Sequence, residues 1–369
     1  MTAAGTPYRV LFCDLLTDRP IDVLPLRDVS LDDYIGRPGS LTGTIPLPGT
    51  ELAQRVRQIR EGRTAVYLER GGDLWWGGIL WTTTLNSDDK GTMSLAIQAA
   101  TFDSYAARRR IRRNMSFDNE DPLEIARALW RYVQSDEGGD IGVTLGGEES
   151  PYRRKINWRD GDETPVDEAF KQLTEGEDSF EYHIAVFRDP ETGARVKRLR
   201  LGAPRLPSGN DDLVFDRPGS ILGYSVPGDG TRAGTTSRAR GGSPPSDAGQ
   251  EARPVVSRVY IAPELLKDGW PRIDLTSEHS SITSKRALNW RARAELRQAL
   301  GVVVIPEITV RLDERTPVPP LMLGRRVRLR MNDEWYARGV SVRYRVIGVK
   351  VAPPQRGRPE TAELFLEAI

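Results

Sequence analysis

The sequence predicts a mainly β protein with α+β inserts, built on two related β domains. Three observations carry this reading. Residues 64–101 run as TAVYLER, a GGD turn, LWWGGILWTTTL, a DDKG turn and MSLAIQAAT, three strands joined by hairpin-type turns. Residues 327–369 repeat the pattern as VRLRMNDEWYARGVSVRYRVIGVKV and, after a PPQRGRP loop, ETAELFLEAI. The phrase RPGSLTG at 37–43 returns as RPGSILG at 217–223.

Each stretch has a local reason. YRVLFCDLL is a short apolar run ended by the turn TDRP. IDVLPL and SLTGTIPL follow, and in the second Leu41, Gly43, Ile45 and Leu47 share one face at period two. ELAQRVRQIREG reads as a helix with Leu52, Val56 and Ile59 on one side and Gly62 as its stop. The character changes after residue 113. In DNEDPLEIARALWRYVQ, Asp121 is a good N-cap, Pro122 suits the first helical position, and Ile125, Leu129, Trp130 and Val133 form a stripe. TPVDEAFKQLTEG reads as a second helix, capped by Thr164, with Pro165 first and Gly176 as stop. SFEYHIAVFRD and RVKRLRLG form a hairpin around PETGA, completing a compact α+β insert over 114–204. Residues 227–254 are dominated by Gly, Ser, Pro and polar residues and read as a flexible loop or linker. VVSRVYIA is then a strand, KRALNWRARAELRQAL a helix ending at Gly301, and VVVIPEITVRL a strand interrupted by Pro306.

Three weak matches occur in the same order in both halves: the RPGS phrase, a Gly-Arg step into a strand, turn and Trp (Gly62-Arg63 toward Trp75, Gly324-Arg325 toward Trp335), and a last strand. The second copy carries extra chain between its RPGS phrase and its meander, which is where the linker and the long helix fall. The expected division is therefore a first β domain at 1–113, the α+β insert at 114–204, a second β domain at 205–226 and 302–369, the linker at 227–254 and a strand-helix insert at 255–301. A duplicated domain lets one chain fill two quasi-equivalent positions in a ring, so three chains mimic a ring of six.

Composition sets limits on function. The chain has 369 residues, 28% charged and 38% hydrophobic, with 53 Lys and Arg against 52 Asp and Glu. So even a balance gives no global pull toward nucleic acid or an acidic membrane, and any such contact has to be local. The lone cysteine, Cys13, rules out an intrachain disulfide. The N-terminus lacks a basic segment followed by an apolar run, and no apolar run approaches the roughly 18 residues of a membrane helix. The expectation is no signal peptide and no stable membrane insertion.

The stretches GSLTGTIPL, GRTAVYLERGGDLWWGGILW and LGRRVRLRMNDEWYARGVSVRYRVIGVKV with ETAELFLE resemble minor tail proteins of long-tailed phages of actinobacteria (siphoviruses), and more broadly the baseplate hub, or tail-tip hub, family. The resemblance is strongest over about 1–113 and 320–369. It implies two tube-like β-barrels per chain plus smaller inserted domains, and a homotrimer that converts the sixfold tail tube to a threefold tip. It also implies a virion location after assembly in the host cytoplasm, and these partners: the tail tube or distal tail protein, the tape measure protein, tip or receptor-binding proteins, and phage DNA in passage. The family shares no catalytic residues and no cofactor, so none is expected here. The 227–254 loop has no place on the family pattern.

Candidate chemistry is sparse. His183 falls inside a strand and reads as structural, His279 is the second of two histidines, and no paired-His or HExxH spacing points to zinc. Carboxylate pairs such as Asp32-Asp33, Asp118 with Glu120, Glu177-Asp178 and Asp211-Asp212 could serve a glycosidase only at a set separation in space. GGDIGVTLGG lacks the GK[ST] ending of a phosphate loop and reads as turn, strand, turn. RRRIRR, with Arg108, Arg109, Arg110, Arg112 and Arg113, is the densest basic run and the candidate interface or lumen segment. Trp75, Trp76 and Trp335 are candidate barrel-packing residues, and Trp81 falls on the same strand as the first two. The leading expectation is a non-enzymatic structural virion protein at the tail tip. The alternatives are a tail-associated cell-wall hydrolase and a carbohydrate-binding tail protein.

Overall fold

The computed structural model describes the chain except residues 1–6, 176–178, 208, 210, 244–252, 281, 301–302, 305, 313–319 and 355–358. Two compact units emerge: residues 1–224 with 307–369, and residues 225–306.

The first unit opens with a lobe of seven strands: β1 (Tyr8–Asp14), β2 (Pro20–Val23), β3 (Arg27–Tyr34), β4 (Ser40–Leu47), then helix α1 (Thr50–Val56), and β5 (Thr64–Arg70), β6 (Asp73–Ser87) and β7 (Met93–Thr101). Their spatial order is β3-β4-β7-β6-β5-β1-β2, antiparallel throughout. Period-two patterning decides the faces. Leu41, Ile45 and Leu47 of β4 turn inward, beside Val66 and Leu68 of β5 and Ile97 and Ala99 of β7. β5 is buried on both sides, and its apolar centre, Ala65–Leu68, supplies both faces. Its Ala65 and Tyr67 face a second core belonging to the α+β body.

That body follows a 3-10 turn at Phe102–Arg108. It comprises β8 (Met115–Glu120), α2 (Pro122–Ser135), β9 (Val143–Leu145), β10 (Arg154–Trp158), α3 (Val166–Thr174), β11 (Glu181–Arg188) and β12 (Arg195–Gly202). Asp121 caps α2 as expected, accepting from the Leu123 N–H at 2.8 Å. Pro165, not Thr164, is the residue before α3. GGDIGVTLGG forms a strand after a turn, without the second turn expected, and β9 pairs parallel with β12. Trp130 of α2 meets Phe170 of α3 edge-on at 6.2 Å.

Two short strands come next, β13 (Leu213–Arg217) and β14 (Ile221–Ser225). The second unit begins there and is described by itself. It contains β15 (Gly228–Asp229), β16 (Thr236–Gly241), β17 (Tyr260–Ile261), α4 (Pro263–Lys267), β18 (Asp274–His279), α5 (Lys285–Gln298) and β19 (Val303–Val304). β16 is the middle strand of a three-stranded sheet, antiparallel to β17 and parallel to β18. The linker reading of 227–254 is corrected here for its described part. Thr236, Ser237 and Ala239 are small enough to lie buried beneath α5, where Ala239 packs with Leu288 and Ala292. Composition alone read those residues as unable to order, but backbone pairing on both sides orders them. Residues 244–252 of that loop lie outside the described residues.

The first unit then resumes with β20 (Glu307–Arg311), β21 (Arg326–Met331), β22 (Val340–Ala352) and β23 (Thr361–Ala368). The second lobe has the order β14-β20-β23-β22-β21-β13. β22 is long enough to serve both lobes. Its first half pairs with β21 and its second half, Gly348–Val351, pairs with β3. One open sheet therefore runs through both lobes, and among the described residues its pairings close into no barrel. A single hydrophobic core, from Phe12 and Leu41 to Val327 and Leu366, follows it.

The two meanders correspond in detail. Gly62 and Gly324 both have positive φ, 71° and 87°. The Gly62 N–H donates to the Leu80 carbonyl at 2.7 Å, and the Gly324 N–H to Val346 at 2.9 Å. In each case the next residue is the extra one of a β-bulge, Trp81 in β6 and Ile347 in β22. The bulge moves the inward set by one position, so that Val346 and then Val349 and Val351 all face the core.

The RPGS phrases do not correspond. After the first, β4 pairs with the last meander strand β7, and Ser40 N–H donates to the Asp32 carboxylate at 2.6 Å, closing a β3–β4 hairpin. After the second, β14 pairs with β20, and β13 and β14 do not pair. The strand that plays β4's part is β20, which pairs with β23. The second unit is thus inserted between β14 and β20, at the place where the first lobe has its RPGS hairpin.

Candidate assembly surfaces

The RRRIRR run is tied into the α+β body. Arg108 lies over the Trp81 ring at 5.0 Å and Arg113 over Tyr132 at 4.5 Å. Arg109 pairs with Asp136, Arg112 with Glu163 at 3.0 Å, and Arg110 donates to the carbonyls of Ala107 and Arg109. All five side chains, Arg108 at the end of the 3-10 turn and the four that follow it, meet partners within the chain.

The tryptophans divide. Trp76 is buried, and its Nε1–H donates to the Asp32 carbonyl at 3.0 Å, linking β6 to β3. Trp75 packs at the core margin under Arg70 at 4.9 Å. Trp335 is 80% exposed, in the turn between β21 and β22. It has no place in the core of this chain, because the β21–β22 connection is longer than the GGD turn and Trp335 falls within it, before β22, whereas Trp75 lies on β6 itself. Beside it Asp333 accepts from the N–H groups of Trp335 and Tyr336 and from Arg217, while Tyr336 tilts against Tyr224 at 6.0 Å.

His183 is buried in β11 with its Nε2 2.8 Å from the Asp33 carboxylate of β3. The residue borders a small cavity of about 20 Å³ shared with Arg200 and Trp76, and its Nδ1 has no protein partner. Asp103 lies nearby and is buried; desolvation pushes its carboxyl up to about 6, against a hydrogen bond from Thr101. His279 of β18 pairs with Glu295 of α5 at 2.9 Å. Both histidines thus hold elements together. The Glu177-Asp178 pair lies outside the described residues. An open cleft of about 760 Å³, lined by the β1–β2 turn and by Gly138 and Ile141 of the α+β body, contains Arg19, Arg60 and Arg63 and, among the described residues, one carboxylate, Asp14, engaged by Thr17 and Arg63. A glycosidase pair requires two.

A basic surface that the sequence reading missed lies on the second lobe. RVRLRM alternates, so Val327, Leu329 and Met331 enter the core and Arg326, Arg328 and Arg330 face outward. On β22, Arg343 and Arg345 stand directly opposite Arg328 and Arg326. Like charges opposite one another destabilise a sheet, and acidic neighbours offset them. Asp212 lies 3.5, 3.0 and 2.8 Å from Arg326, Arg328 and Arg343. Burial raises its pKa, but the hydrogen bonds from Arg343 and Arg328 outweigh that and hold the carboxyl below its ordinary range. Arg330 grips Asp216 with two N–H groups, at 2.6 and 2.8 Å. Arg345 is 3% exposed and bonds Glu181 of β11 and Glu367 of β23. The signal for this surface was the alternation of arginines in RVRLR and VRYR, which a search for consecutive basic residues passes over.

The sheet ends in strands with one neighbour each. β2 is short, starts with Pro20 and has Asp22 clamped by Arg55 at 2.6 Å, features that blunt an edge. β14 exposes Leu222 at the other end. Among the described residues, no helix is long and apolar enough to cross a membrane.

No family model matches the chain, and no curated protein is detectably similar to it in sequence. Solved structures are similar along its whole length. A tail protein from Neisseria meningitidis MC58 has a TM-score of 0.58 at 15% identity, covering 97% of this chain and 96% of that one. The 43 kDa tail protein of prophage MuSo2 from Shewanella oneidensis has 0.59 at 10% identity, covering 98% of both. The prophage tail protein gp18 from Listeria monocytogenes EGD-e has 0.51 at 13% identity, covering 97% and 94%. At these identities the likeness is one of fold: this chain folds as those tail proteins do.

Proposed function

We propose that this chain is a structural protein of a phage tail tip, the hub at the distal end of the tail tube. Three copies form a ring in which the two lobes of each chain take six quasi-equivalent places, each lobe serving as one segment of a tube wall. The observation that carries this reading is the pair of corresponding meanders, each with a glycine bond just before a bulge, within one sheet. The full-length likeness to tail proteins, one of them from a prophage, supports it. In this reading the sixfold face meets the tail tube or distal tail protein. The threefold face anchors tip or receptor-binding proteins, and the lumen holds the tape measure protein and later passes DNA. The β14 edge, with its exposed Leu222, is the joining edge between chains.

The test is light-scattering mass with electron microscopy of the purified chain, alone and with its tail neighbours. A particle of three chains with an axial channel and six lobes is expected. A monomer under both conditions refutes the hub. One observation favours the carbohydrate-binding alternative, the exposed Trp335 beside Tyr336. A change in tryptophan fluorescence on adding cell-wall glycan, abolished by Trp335→Ala, is the result that reading requires.

A further inference from the structure

We infer that the outward face of β13, β21 and β22 is a phosphate-binding surface that contacts the backbone of double-stranded DNA. This deepens the tail-tip reading, which supplies the passing duplex, and is tested separately from it. The argument starts from spacing. Alternate residues of a strand stand about 6.7 Å apart, and neighbouring strands about 4.8 Å. A duplex strand offers one phosphate per about 3.4 Å of its axis. Because that strand winds as it rises, consecutive phosphates stand farther apart through space than along the axis, at about the spacing of alternate β-strand residues, so Arg326, Arg328 and Arg330 have the repeat of consecutive phosphates, and Arg343 adds a donor on the next strand.

Chemistry points the same way. This face is furnished with arginine, whose planar fork fits phosphate with two N–H groups at once. Asp212 and Asp216 orient the forks without using most of their donors. Arg328 and Arg343 each give Asp212 one hydrogen bond, and Arg330 gives Asp216 two, where a guanidinium carries five N–H donors. The side chains of Arg330 and Arg343 are 57% and 60% exposed. Two carboxylates, Asp212 and Asp216, face four arginines, Arg326, Arg328, Arg330 and Arg343, which leaves net positive charge for a polyanion. The contacts are to backbone only, so binding is blind to sequence and weak at physiological salt, as a passing molecule requires.

The experiment is fluorescence anisotropy of a labelled 30-base-pair duplex with the full chain, from about 50 to 200 mM salt. The triple variant Arg328→Gln, Arg330→Gln, Arg343→Gln is expected to bind at least about tenfold more weakly at the lowest salt and to flatten the log–log salt slope by about 3, near 0.9 per lost contact. The triple Lys variant at the same positions keeps charge and is expected to retain most binding, which separates charge loss from misfolding. Lys155→Gln, Lys171→Gln, Arg131→Gln removes as many charges elsewhere and is expected to leave the slope unchanged. Equal loss in that control, an unchanged slope in the first variant, or polyglutamate of equal charge competing as well as DNA overturns the inference. The last outcome assigns the surface to an acidic protein. A threefold ring without the salt effect sinks the inference alone, whereas DNA binding by a monomer sinks the hub alone.

Discussion

Asp103 makes the protein less stable at neutral pH than its fold allows, and removing its charge should restore the difference. The carboxyl is 7% exposed at the start of the 3-10 turn, where it accepts from Thr101, itself bonded by the Gly39 N–H at 2.9 Å. Its folded pKa of about 6 stands above the ordinary 3.8. The folded state therefore holds the proton more tightly. The stabilisation is fully present below about pH 4 and is lost as pH rises through 6. At about 1.4 kcal/mol per factor of ten, the charged form costs about 3 kcal/mol at pH 7.5 and only about 1 kcal/mol at pH 4.5. Asp103→Asn keeps an oxygen to accept from Thr101 and carries no charge. Its gain over the parent should grow from about 1 to about 3 kcal/mol between those pH values, the larger figure being roughly 5 °C in melting temperature for a unit of this size. Scanning calorimetry of both proteins at pH 4.5, 6.0 and 7.5 measures it. A gain that does not vary with pH, or a loss at pH 7.5, refutes the reasoning.

Other outcomes follow from single side chains. Trp130→Ala opens the core of the α+β body beside Phe170 and should cost about 3–5 kcal/mol, read as a lower urea midpoint for far-UV circular dichroism. Gly62→Ala forces a β-carbon into a left-handed backbone and should cost about 1–2 kcal/mol, against little for Gly49→Ala, where the backbone is extended. Arg345→Met leaves Glu181 without its buried partner. It should cost about 2–3 kcal/mol, the lower end for a buried pair because Glu181 is partly exposed, and Glu181→Gln should recover part of it in a double-mutant cycle. Trp335→Ala should change stability by less than about 0.5 kcal/mol and remove the emission most readily quenched by acrylamide.

Short-range signals in the sequence were reliable guides to the meanders. The GGD and DDKG turns, the alternation in SLTGTIPL and the Asp-Pro opening of α2 each act over a few residues, and each forms the element its chemistry favours. The Gly-Arg phrase also carried through, because Gly62 and Gly324 both need positive φ before the strand. RPGS failed as a repeat marker because its residues specify a turn and say nothing of which strand lies beside it. β20, the partner of β23, shares no phrase with β4. The missing information is long-range pairing, which is also why β16 was hidden inside a Gly-Ser-rich stretch. The candidate surfaces split likewise. Counting consecutive basic residues found Arg108 to Arg113, which face partners in their own body, whereas the strand geometry of β21 and β22 gathers arginines that are scattered in the sequence.

The splice made by β22 has a mechanical consequence. Its backbone is hydrogen-bonded to β21 before the bulge and to β3 after it, so the two lobes hang on one continuous strand. Such bonds lie across the strand direction, and tension along β22 loads the four-residue match with β3 in shear, where the bonds must yield together. The shared strand and the shared core couple the two lobes mechanically. On the tail-tip reading, the bore cannot widen by hinging within a chain. On that same reading, opening would fall to the seams between chains rather than to a hinge within one.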